Sequence, residues 1–81
     1  MVSEQPCVSV GQLVKGKTYA LNSVRNADGT VAVIWRIGSV GPKWITFCEW
    51  RGDRWSPLYR LLRSGWARGE PFLPVEDPSA G

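Results

Sequence analysis

Short apolar runs separated by glycine, asparagine, aspartate and proline divide this chain into strand-length pieces. The first clear run is 17–24, Lys-Thr-Tyr-Ala-Leu-Asn-Ser-Val. Arg-Asn-Ala-Asp-Gly follows at 25–29, and Asn, Asp and Gly tolerate the positive φ of tight turns. Residues 30–37 are rich in β-branched side chains and read as a second strand. Gly38 to Lys43 holds two glycines and Pro42 and reads as a loop. A third strand is expected at 44–50, then a turn at Arg-Gly-Asp-Arg, 51–54. Shorter strands are expected at 7–10 and 72–75. One segment breaks the pattern. Ser56 suits a helix N-cap, Pro57 the first helical position and Gly65 the C-terminal cap, which predicts a short helix over 57–64 with Leu58, Leu61 and Leu62 on one side.

Laid side by side with symmetric loops, the three main strands form a meander. Tyr19 then faces Trp35, and Ile37 faces Trp44. Directly opposed residues share a face, and alternate residues point to opposite faces. One face collects Tyr19, Leu21, Val31, Val33, Trp35, Ile37, Trp44, Cys48 and Trp50, and is the expected core. The other collects Ala20, Ile34, Arg36, Ile45, Phe47 and Glu49 among others, a mixed surface. Trp55 and Trp66 follow turns and take no face from this register. The expected fold is therefore mainly β: a small antiparallel sheet or a partly open SH3-like or OB-like barrel with one short helix.

Length makes this one domain, 1–75, followed by an acidic tail at 76–81 that is expected to be disordered. A chain of 81 residues buries little surface, and its five tryptophans offset that limit, each able to bury on the order of 200 Å². The N-terminus has no basic region followed by an apolar run, and no stretch is long and apolar enough to span a membrane. A cytoplasmic protein with Cys7 and Cys48 as free thiols is the expectation, with Cys48 a small core residue.

Charge changes the picture further. The ten basic residues between Lys15 and Arg68 meet only three acids there, Asp28, Glu49 and Asp53. Seven of the ten are arginine, which binds phosphate bidentately and stacks on flat rings. Catalysis is poorly supported: there is no histidine, and two distant cysteines make no zinc site, so neither an enzyme nor a cofactor is expected. Gly-Gln-Leu-Val-Lys-Gly-Lys-Thr at 11–18 spells a P-loop, but Lys17 and Thr18 open a strand where that motif needs a helix. Arg51-Gly52-Asp53 spells an adhesion tripeptide and reads as a turn.

What remains is basic and aromatic interleaving, the pattern that holds single-stranded nucleic acid by tracking its backbone with charge and stacking on its bases. On this reading Arg36, Lys43, Arg51 and Arg54 meet phosphates, while Phe47 and Trp55 stack on bases. The alternative is a small protein-binding module or inhibitor, a bacterial, phage or mobile-element accessory protein that docks on a larger protein, since Trp, Tyr and Arg are also enriched at protein hot spots.

Overall fold

A computed structural model of the chain describes residues 6–66 and 71–79. Five strands form one antiparallel sheet: β1 (Thr18–Leu21), β2 (Ile34–Val40), β3 (Trp44–Glu49), β4 (Tyr59–Leu62) and β5 (Phe72–Pro74), in the order β4-β3-β2-β1-β5. The sheet is not closed, so the open-sheet form of the expected fold is the one realised. The remaining regular structure among the described residues is two 3-10 turns, Val10–Gln12 and Arg63–Trp66. No described helix is long and apolar enough to cross a membrane. The loose start at 1–5, Arg68 with the irregular stretch beyond Trp66, and the last two tail residues lie outside the described residues.

The first hairpin follows its turn chemistry. Tyr19 lies opposite Trp35, as the symmetric loop predicts. Arg25 bridges Val31 below the turn, and Asp28 accepts hydrogen bonds from the Thr30 N–H and hydroxyl. The segment expected as a strand at 7–10 contributes a single bridge, Val8 to Phe72, before the first 3-10 turn. In the P-loop-like stretch, Lys17 leads directly into β1, so the motif has no helix to follow it.

The second hairpin departs from expectation. Strand β2 runs on through Gly38 to Val40, so only residues 41–43 turn the chain, closed by Gly41 N–H to the Trp44 carbonyl at 2.9 Å. Ile37 consequently faces Phe47, not Trp44, and Trp35 faces Glu49. The slip is odd in number, so every β3 side chain changes sides. Ile45 and Phe47 enter the core, while Trp44 and Cys48 turn outward. A bulge between Ile37 and Ser39 makes the continuation fit. Glycine is required there, because a Cβ on Gly38 would lie 2.8 Å from Thr46 Oγ1.

The segment expected to be a helix is strand β4. Ser56 is buried, and it does not cap a helix. Its N–H donates to the Glu49 carbonyl at 2.8 Å, and its Oγ accepts from the Glu49 N–H at 2.9 Å. The chain leaves that stitch extended alongside β3, with Leu61 opposite Ile45 and Tyr59 opposite Phe47. An isolated two-turn helix is marginal in water, whereas pairing gives partners to the backbone groups that face β3.

The core sits on one side of the sheet. Trp35 stacks on Phe47, with ring centroids 3.9 Å apart, and Phe72 packs against both Trp35 and Tyr19. Val10, Leu13, Leu21, Ile37 and Ile45 complete it. The Trp35 indole N–H reaches Glu49 Oε1 at 3.2 Å, which satisfies a donor that would otherwise be stranded at the core margin.

These placements set an order of mutational cost. Phe47→Ala is expected to lower unfolding stability by about 3–5 kcal/mol, and Trp44→Ala by less than about 1 kcal/mol. Urea denaturation of the two variants measures both, and the reverse order would restore the register of the symmetric loop. Gly38→Ala is expected to cost about 1–3 kcal/mol through its clash with Thr46.

Candidate functional site

The face of β2–β3–β4 away from the core carries the basic and aromatic residues. Pairing places Arg36 opposite Cys48, Ser39 opposite Thr46, Thr46 opposite Arg60, and Trp44 opposite Leu62. Two cation–aromatic groups stand at opposite ends of this face. Trp44 opens β3 and Trp50 follows its end, six residues on, or about 20 Å of extended chain. The Ser39 and Thr46 hydroxyls, 2.7 Å apart, lie between them.

At one end, the Arg36 guanidinium lies 4.6 Å from the Trp55 ring centre, and Trp50 meets Trp55 edge-on at 5.2 Å. A bridge between Trp50 and Trp55 closes the 51–54 turn, where Gly52 takes a φ of 97°. Trp55 is half-buried, and its indole N–H donates to Ser79 Oγ at 3.3 Å. Asp77 fixes Ser79 by accepting from its hydroxyl and its N–H. The Ser79 hydroxyl and N–H hold the Asp77 carboxyl below its ordinary value, partly offset by desolvation, with a smaller contribution from the Arg36 charge. The acidic tail is thus placed beside Trp55 as far as Ser79.

At the other end, Trp44 is 36% exposed. The Arg60 guanidinium sits 4.6 Å from its ring centre and the Lys43 ammonium 5.7 Å. Neither cation has a carboxylate partner: among the described residues the one salt bridge is Asp53–Arg54, at 3.7 Å between exposed side chains.

Of the six residues the sequence suggested, the structure brings two into contact, Arg36 and Trp55. Arg51 and Arg54 stand in the adjoining turn, where Arg51 donates to the Tyr59 hydroxyl at 2.6 Å. Lys43 belongs to the far group. Phe47 is 7% exposed and stacked on Trp35 inside the core, so its ring faces no solvent and cannot receive a base. Cys48, expected in the core, lies half-buried on the outer face as a free thiol, as Cys7 is also free. Sequence reasoning missed Trp44 and Arg60. Their signal was present: reading Gly-Pro-Lys alone as the turn puts Trp44 outside, and Leu58, Arg60 and Leu62 alternate with Tyr59 and Leu61 at strand spacing.

A separate pocket of about 450 Å³ lies between Val14, Lys17, Thr18, Tyr19 and the Pro74–Glu76 segment, and none of the six residues lines it. A comparison with known proteins finds no matching family, no matching curated protein and no matching solved structure.

Two outcomes are expected. Iodide, drawn to the unpaired cations, should quench Trp44 far more than Trp35, so Trp44→Phe should remove most of the salt-sensitive quenching. The tail contact responds to acid. Because the Asp77 carboxyl is held below its usual 3.8, the contact is complete above that value and is lost as the pH falls through the lowered one. The Ser79 amide resonance, followed by NMR, should move over that range and stay still in Asp77→Asn.

Proposed function

We propose that this chain is a non-enzymatic binding protein that holds single-stranded nucleic acid on the outer face of β2–β3–β4. The observation that carries this reading is Trp44, a solvent-facing ring flanked by Arg60 and Lys43, neither of which is paired with a carboxylate of the described residues. Trp44 takes the stacking role that the sequence suggested for Phe47. Arg60 joins Arg36, Lys43, Arg51 and Arg54 as a phosphate ligand.

Magnitudes favour exchange at the ring. An exposed cation–π contact is worth about 0.5–1 kcal/mol. A base stacked on an aromatic side chain is worth about 1–3 kcal/mol. A base therefore displaces one cation from the Trp44 face, and the freed cation turns to the adjacent phosphate. Trp55 contributes less than the sequence suggested, because Arg36 covers one side of its ring and Ser79 holds its N–H.

Titration with oligonucleotides at low and moderate salt tests the reading through tryptophan fluorescence. Single strands are expected to quench saturably, more strongly than duplex. Trp44→Ala should weaken binding by about 1–3 kcal/mol without unfolding the domain. Arg60→Ala should lower the magnitude of the slope of log K against log salt by roughly 0.7. Absence of any response at low salt would remove nucleic acid as the ligand.

A further inference from the structure

The two edges of the sheet are finished differently. At the β5 edge the backbone is occupied. Val8 N–H donates to the Phe72 carbonyl at 2.7 Å, Phe72 N–H donates to the Val8 carbonyl at 3.2 Å, and Pro74 has no N–H to offer. At the β4 edge no described strand follows: β3 is the single strand paired with β4.

The ladder shows which groups face outward there. Arg63 N–H donates to the Lys43 carbonyl at 2.8 Å, so that pair is a hydrogen-bonded one. Antiparallel pairs alternate between hydrogen-bonded and non-hydrogen-bonded. Leu61 with Ile45 and Tyr59 with Phe47 are then hydrogen-bonded, while Leu62 with Trp44 and Arg60 with Thr46 are not. The N–H and C=O of Arg60 and the N–H of Leu62 therefore point away from the sheet.

Exposed apolar side chains line the same edge: Leu58 at 61%, Leu62 at 45% and Tyr59 at 42%. The charges around them have one sign. Arg60 lies within the strand, Arg63 follows it, Arg51 holds the Tyr59 hydroxyl, and Lys43 stands beside Trp44 next to Leu62. Two copies meeting by this edge would bring their Arg60 guanidiniums and basic flanks together, an arrangement that charge disfavours. An acidic strand meets the opposite situation.

We infer that the outer edge of β4 accepts an extended acidic segment of a partner protein as an added strand. Backbone hydrogen bonds to Arg60 and Leu62 hold the segment. Its apolar side chains lie against Leu58 and Leu62, and its carboxylates meet Arg60 and Lys43. This is strand addition, in which main-chain bonds give affinity and alternate side chains give specificity. The inference does not rest on nucleic-acid binding, although the two ligands would share Arg60.

The probe is a capped peptide of about eight residues, a typical strand length, with threonine at every second position and valine and glutamate taking turns at the others, so that valine and glutamate share the face that carries Leu58, Arg60 and Leu62. Two further peptides separate the contributions: one with lysine for glutamate, and one N-methylated at alternate positions so that one backbone edge cannot donate. Binding is read from amide chemical shifts of the folded, full chain. The expected result is that the glutamate peptide shifts β4 resonances, the lysine peptide does not bind, and N-methylation weakens binding roughly tenfold. Leu62→Pro removes an outward N–H and leaves the pairing with β3 intact, since proline is tolerated at edge positions. It should lose binding by a similar factor while keeping the wild-type near-UV spectrum, and N-methylation gives the same information in the wild-type chain if that variant does not fold. Equal binding of the methylated and plain peptides, with both displaced by an oligothymidylate, would overturn the inference and reduce the effect to charge on the nucleic-acid face. An oligothymidylate that binds where no peptide does would also overturn it, leaving the nucleic-acid reading intact. Peptide binding at β4 without oligonucleotide binding would support it and remove the other.

Discussion

The stack of Trp35 on Phe47 fixes how β2 lies against β3, and the two faces of the molecule are sorted by that register. The two rings are large, and their stack buries much of the apolar surface that these strands share. Once Phe47 points inward, Ile45 must follow it, and Trp44, Thr46 and Cys48 must point outward. Gly38 makes this possible. Without a side chain it lets β2 bulge past Thr46, so the strand regains step and delivers Val40 to the core side opposite Ile45. Glu49 then meets the Trp35 indole N–H from the same side.

The outer face inherits its chemistry from that sorting. A strand rich in aromatics buries those of one parity and displays those of the other. Trp44 is displayed, and β4 supplies Arg60 to it because Ser56 stitches the chain to Glu49 and sends it back along β3. The positive charge of the face remains available because acids are scarce along β2, β3 and β4. Glu49 is engaged with an indole, and among the described residues Asp53 pairs only with its neighbour. The Trp50–Trp55 group differs in kind. Its second ring is braced by Arg36 and by the tail at Ser79, which makes it a support for the end of the sheet as much as a surface.

The sequence made some of this legible and hid the rest for definite reasons. The first hairpin was readable because Asn, Asp and Gly at 26–29 leave few ways to turn, and Tyr19 opposite Trp35 follows from them. The second was not. A glycine inside a strand has the same signature as a glycine in a loop, and Gly38 stands four residues before Pro42. Taking the two together lengthens the turn and reverses every side chain of β3. That one error placed Phe47 on the surface and Trp44 in the core. The helix at 57–64 failed differently. Ser-Pro at its start and Gly65 at its end are genuine capping chemistry, but Ser56 spends its hydroxyl on Glu49, and alternation at Tyr59 and Leu61 matches the core below. Charge was read correctly in amount. Its position depended on the elements, so Arg36 was expected on the outer face of β2, where it stands, while Arg60, read into a helix, was given no place there.

A sheet whose described residues occupy one edge and leave the other without a strand has a limited valence. Val8 and Pro74 leave β5 unable to take a full added strand, so a strand added at β4 would leave no second edge among the described residues. Endless ladders of the cross-β kind need two open edges on every link. This fold is a chain terminator in that sense: any assembly built through β4 stops at a closed complex and does not grow into a fibre.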